Sequence, residues 1–115
     1  LLSFKQFIDT ITPKGIKAHL NVMNSASPAK MNTDSKFMKA AYHAFSDVYK
    51  TPPLFVGEGG TIPIVSDFQT LLGIDTVMMG FNCPDDNIHS PNERLSVDGF
   101  MNGIKTSAHF LQSLR

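Results

Sequence analysis

The sequence predicts an α/β fold in which residues 34–115 build helices packed on a layered sheet, preceded by a separate helix–strand pair in residues 1–23. Three observations predict it. Apolar residues recur at three-four spacing in four stretches, the signature of amphipathic helices. Between the helices lie short alternating or wholly apolar runs of strand length. From residue 34 onward the two kinds of segment alternate, as they do where helices cover a mostly parallel sheet.

Leu1, Phe4, Phe7, Ile8 and Ile11 form the first helical stripe, and Pro13 and Gly15 stop it. Residues 16–23 alternate apolar and polar side chains, which predicts a half-buried strand with His19 on its polar side. Small and turn-forming residues at 24–33 predict a loop. Thr33 or Asp34 is the expected N-cap of the second helix, whose stripe is Phe37, Met38, Ala41, Tyr42, Phe45 and Val48 before Pro52-Pro53 ends it. Leu54-Phe55-Val56 predicts a short strand, broken by Gly57-Glu58-Gly59-Gly60. Thr61 is the expected cap of a third helix with Pro63 in its first turn and Gly73 at its C-terminal cap. Residues 76–81 read as a buried strand, and 82–95 as a polar loop with two prolines. Ser96 then caps a last helix with the stripe Phe100, Ile104, Ala108, Leu111 and Leu114.

Composition narrows the classes of function. The 115 residues are single-domain in size, 42% hydrophobic, and balance ten Lys+Arg against ten Asp+Glu. No basic excess exists to neutralise phosphates, so nucleic acid is not an expected partner. No apolar run approaches the ~18 residues of a membrane span, and none reads as a secretory signal. Cys83 is the lone cysteine, which excludes an internal disulfide and a Cys-rich zinc module and is consistent with a cytoplasmic protein. The chain opens on Leu1 without an initiator Met, as expected of a processed product or a piece of a longer protein.

Two loops that follow expected strands are the candidate sites, because ligands of open α/β sheets bind beyond the strands' carboxyl ends. In Gly57-Glu58-Gly59-Gly60-Thr61 three glycines around one Glu let backbone amides approach a ligand, and the helix that follows favours an anionic group. A turn needing glycine dihedrals accounts for the same residues. The loop is neither a P-loop nor a dinucleotide-binding GxGxxG. The second loop, Pro84 to Glu93, gathers carboxylates, amides and the imidazole of His89 within ten residues. Imidazole is a common zinc donor, and a neighbouring carboxylate can orient it. A catalytic zinc needs about three protein ligands, more than this segment clearly supplies. His19, His43 and His109 read as structural, and Cys83 has no base beside it in sequence.

Taken together, Gly57-Glu58-Gly59-Gly60-Thr61-Ile62-Pro63 and, about 25 residues later, Asp86-Asn87-Ile88-His89-Ser90-Pro91-Asn92-Glu93 resemble a known pattern. It is that of the C-terminal part of a di-zinc metallopeptidase family that includes carnosine and cytosolic non-specific dipeptidases, carboxypeptidase G, aminoacylases and succinyl-diaminopimelate desuccinylase. Both motifs, their order and the final amphipathic helix agree. The resemblance implies that residues 1–30 are the last helix–strand pair of an inserted lid, or dimerisation, domain. It implies that residues 31–115 are the C-terminal segment of the catalytic domain, with its sheet and flanking helices.

The same resemblance implies roles residue by residue. His89 matches the last protein ligand of the zinc pair. Glu58 matches the group that holds a substrate's free amino terminus, and Gly59, Gly60 and Thr61 the contacts to its carbonyl or carboxylate end. Asn92 and Glu93 match the segment that supports the metal loop. The implied activity is hydrolysis of a dipeptide or an N-acyl amino acid by a metal-activated water. Many dipeptidase relatives carry Arg before the glycine-loop Glu, whereas Gly57 stands here, which weakens an assignment to carnosine-type substrates. The remaining ligands and the general-base Glu belong to an N-terminal half absent from this sequence, so the fragment alone is expected to be inactive. A homodimer is implied by the family only. A second reading is a non-catalytic binding or assembly module that kept the scaffold and lost the metal.

Overall fold

A computed structural model of the chain describes residues 1–23, 25–58 and 62–115. Among these residues the regular structure is helical: α1 (Leu2–Ile11), α2 (Lys36–Tyr49), α3 (Pro63–Leu72) and α4 (Val97–Ser113). The expected α/β sheet is not formed. Residues 16–23, 54–56 and 76–81, each expected as a strand, belong to neither helix nor sheet. The physical reason is that alternation or an apolar run specifies only which side chains face a core. A strand also requires a neighbour about 4.8 Å away to take up its backbone groups, and among the described residues these segments form no such ladder. Several of their apolar residues stay in the open, Leu54 at 86% exposure and Met23 at 90%, while Val77, Met79 and Phe81 are half-buried.

The helices begin and end for local reasons. Ser35, not the expected Thr33 or Asp34, caps α2; its hydroxyl accepts the Met38 N–H at 3.1 Å. Just upstream, the Asn32 side chain accepts the Asp34 N–H in a turn that ends where Ser35 begins the helix. Lys50 closes α2 in the left-handed region (φ 58°), just ahead of Pro52-Pro53. For α3, Ile62 is the N-cap, without a side-chain capping bond, and Pro63 stands in the first turn. Thr61, expected as the cap, lies outside the described residues. Gly73 ends α3 at φ 63°, a conformation glycine adopts without steric cost. Ser96 caps α4 as expected, accepting the Gly99 N–H at 2.9 Å.

Among the described residues only α2 and α4 pack on each other. Their seam is built from small side chains: Ala41 and Ala44 of α2, with Met38, and Gly103 and Thr106 of α4, all buried. The α4 stripe expected to be buried is instead exposed, Phe100 at 56% and Leu111 at 65%. Small residues win the seam because they allow two helix backbones to approach closely, and one neighbour can cover only one face of α4. Phe81 plugs the end of the seam, stacking on Phe45 of α2 with ring centroids 5.2 Å apart. A Cβ on Gly103 would lie 3.3 Å from the Phe81 ring, so the glycine makes room for that plug.

The rest of the chain is held more loosely. Val65 of α3 is buried, and the Gln69 side chain donates to the Lys30 carbonyl at 3.1 Å, tying α3 to the loop before α2. Helix α1 buries none of its residues. The Cα radius of gyration is 19.3 Å, against about 13 Å for a compact domain of ~100 residues. No helix among the described residues is long and apolar enough to cross a membrane.

Candidate functional site

The loop from Cys83 to Arg94 joins the Phe81 plug to the cap of α4, and its order comes from its own polar groups. Pro84 follows Cys83 in a tight turn in which the Asp86 N–H donates to the Cys83 carbonyl at 3.1 Å. The Asp86 carboxylate returns the contact, accepting the Cys83 N–H at 2.7 Å. Eight residues later the Arg94 N–H donates to the Asp86 carbonyl at 2.9 Å and closes the loop at its neck. The Arg94 side chain adds a second tie, from Nε to the Asp85 carbonyl at 3.1 Å and from Nη2 to the Asp85 carboxylate. Asp86 is 3% exposed, while its neighbours in the loop are solvent-facing.

Within the closed neck run two consecutive turns. The Ser90 N–H donates to the Asn87 carbonyl at 2.9 Å, and the Glu93 N–H to the Ser90 carbonyl at 3.2 Å. The third residue of each turn is left-handed: His89 at φ 60° and Asn92 at φ 62°, with Asn87 at φ 53° entering the first. Pro91 followed by Asn92 is the sequence such a turn prefers, because proline presets the second position and asparagine tolerates the third. Histidine also enters this region more readily than most residues, at a cost of about 1 kcal/mol. The turn therefore fixes the Cα–Cβ direction of His89. Its imidazole is exposed and, among the described residues, takes no hydrogen bond from the protein.

The expected site residues are only partly brought together. His89, Asn92 and Glu93 occupy adjoining turns, but the Asn92 and Glu93 side chains are exposed and make no hydrogen bond to the imidazole among the described residues. Glu58 is exposed and shares no ion pair with the 83–94 loop among those residues. Gly59, Gly60 and Thr61 lie outside the described residues. Neither His89 nor Glu58 lines the two shallow clefts, of about 400 and 380 Å³, that flank Phe81.

His89 presents an exposed imidazole, and no group of three possible metal donors among the described residues includes it. The sole cluster of three donors among them is Cys83, Asp85 and Asp86, whose ligand atoms lie within 4.8 Å of one another. Within that cluster the Asp86 carboxylate accepts from the Cys83 N–H and the Asp85 carboxylate pairs with Arg94. Sequence reasoning missed the Asp86–Arg94 closure. The Cys83-Pro84-Asp85-Asp86 turn was a usable signal for its first half, whereas nothing local marks Arg94 as the partner of Asp85.

Comparison with known proteins defines the class. Residues 4–113 match the peptidase family M20/M25/M40, and the chain belongs to that family. Among curated relatives, the Cys-Gly metallodipeptidase DUG1 of Candida albicans is 42% identical over 72 residues, which cover 63% of this chain and 15% of that protein. DUG1 of Saccharomyces cerevisiae is 41% identical over 73 residues, 64% of this chain and 15% of the relative. The human Beta-Ala-His dipeptidase is 33% identical over 79 residues, 69% of this chain and 16% of the relative. The matches thus span about one sixth or less of the length of these relatives. No solved structure matches the chain.

Proposed function

We propose that this chain is the C-terminal segment of a longer zinc-dependent amide hydrolase that cleaves a dipeptide or an N-acyl amino acid. In this reading residues 1–30 are the end of a lid or dimerisation domain, and residues 31–115 are a segment of the catalytic domain. The reading is carried by the exposed imidazole of His89, without a hydrogen bond among the described residues, at a left-handed turn position inside the stretch that matches the peptidase family. The names of the relatives, all dipeptidases, support the substrate class.

His89 is one zinc ligand, and the other donors come from polypeptide beyond this chain, so the 115 residues alone are inactive. When bound, zinc supplies a Lewis acid and acidifies a water. The turn fixes the Cα–Cβ direction of His89, which spares the site the entropy of ordering a loop each time metal binds. Asn92 and Glu93 set the turn that follows. The Glu58 carboxylate meets a substrate's ammonium group, and Gly59, Gly60 and Thr61 serve its carboxylate end. The parent enzyme in this reading is a cytoplasmic homodimer.

The direct test is His89→Ala in the longer enzyme. Zinc stoichiometry should fall and hydrolysis should drop by more than about 100-fold, beyond the loss typical of a ligand's supporting partner, with helix content retained. Unchanged zinc content rejects the assignment. A longer protein that folds but holds no zinc at all would favour a non-catalytic assembly module instead. Glu58→Gln should slow hydrolysis of dipeptides with a free amino terminus more than that of N-acyl amino acids. Equal losses on both would remove the amino-group role.

A further inference from the structure

We infer that Asp86 and Arg94 are positioning residues for His89, closing the neck of its loop so that its Cα–Cβ bond is presented in one direction before metal binds. The inference rests on the ligand role proposed for His89.

Asp86 is the point through which both ends of the loop are joined. Its N–H and its carboxylate are both spent on Cys83, and its carbonyl receives Arg94. It is also the one buried residue between Pro84 and Asp98. Burying a carboxylate is costly unless it is hydrogen-bonded, so the 2.7 Å contact to the Cys83 N–H and the burial of Asp86 require each other. Arg94 acts from the outer side, where its guanidinium grips both the carbonyl and the carboxylate of Asp85. These contacts leave residues 87–93 as a short closed excursion containing two turns. Its three left-handed residues, Asn87, His89 and Asn92, are each a conformation that an open loop would relax. Without the neck, His89 would leave the left-handed region and its Cβ direction would become an average over many. Neither Asp86 nor Arg94 needs to touch the metal for this to matter.

The test measures zinc affinity by chelator competition in the longer enzyme, with the folded fraction followed by circular dichroism. Asp86→Ala should weaken zinc binding roughly 10- to 100-fold, the usual loss when a ligand's supporting partner is removed. Asp86→Asn keeps an oxygen acceptor for the Cys83 N–H and should restore affinity to within about threefold. Arg94→Gln, a change at an exposed side chain that leaves the backbone bond to Asp86 in place, should cost roughly tenfold. In a His89→Ala background the Asp86 change should have no further effect. A merely structural role would lower the melting temperature and leave the affinity of the folded protein untouched, and that result overturns the inference. If Asp86→Ala does not fold, an unchanged affinity in Arg94→Gln overturns it equally. The two readings fail separately. Loss of affinity in His89→Ala without loss in Asp86→Ala or Arg94→Gln sinks only the positioning role, whereas wild-type affinity in His89→Ala sinks the ligand itself.

Discussion

Helix α1 carries a clean apolar stripe and buries none of it, whereas the loop at 83–94 is mostly polar and buries Asp86 to 3% exposure. Phe4, Phe7 and Ile11 are each more than half exposed despite the spacing that made α1 legible. The contrast separates two sources of order. Hydrophobic order is conditional, because an amphipathic face stabilises nothing until another surface meets it. The loop's order is local, since its donors and acceptors lie within twelve residues of one another and no second element is needed to satisfy them. The candidate metal ligand sits in the region of the second kind, which suits a group whose direction must be set in advance.

The contrast can be broken or sharpened by substitution, and the largest effect is expected where the two kinds of order meet. Phe81 anchors the base of the loop by stacking on Phe45 and filling the space above Gly103. Phe81→Ala should destabilise the α2–α4 pair by about 2 kcal/mol, less than a fully buried Phe because this ring is half-exposed. Urea unfolding followed by helix content measures it, and a change below about 0.5 kcal/mol would mean the loop base is not anchored there. His89→Gly should act in the opposite direction. It removes a side chain from a left-handed position and should stabilise the loop by about 1 kcal/mol, even as it removes the proposed ligand. A loss of stability of that size would indicate that the imidazole makes a contact of its own. The smallest effect belongs to α1. In the 115-residue chain Phe7→Ser should move the unfolding midpoint of the α2–α4 pair by no more than about 0.5 kcal/mol. A larger shift would show that α1 is packed on that pair after all.

The fold was legible where it depends on neighbours along the chain. All four helices stand where periodicity placed them, and Gly73 and Ser96 end and begin helices for the expected reasons. Cap selection before α2 was less legible, because Asn32, Thr33, Asp34 and Ser35 are all competent, and only the turn that occupies Asn32 and Asp34 leaves Ser35 for the helix. The family was legible in two motifs, and the match to the peptidase family agrees with the resemblance they carry.

What the sequence determined by itself is therefore helix position, the caps at Gly73 and Ser96, and family membership, because periodicity, caps and motifs are written in residues a few positions apart. Tertiary structure alone decided three things. Apolar runs at 16–23, 54–56 and 76–81 do not pair into a sheet, because backbone ladders need a neighbour that no run of side chains can specify. Helix α4 turns its glycine and threonine, and not its Phe and Leu, toward α2, because close approach of two helices favours the smaller face. Arg94 reaches back to Asp85 and Asp86, because the path of the backbone, set by two left-handed turns, brings the loop's ends within hydrogen-bonding distance.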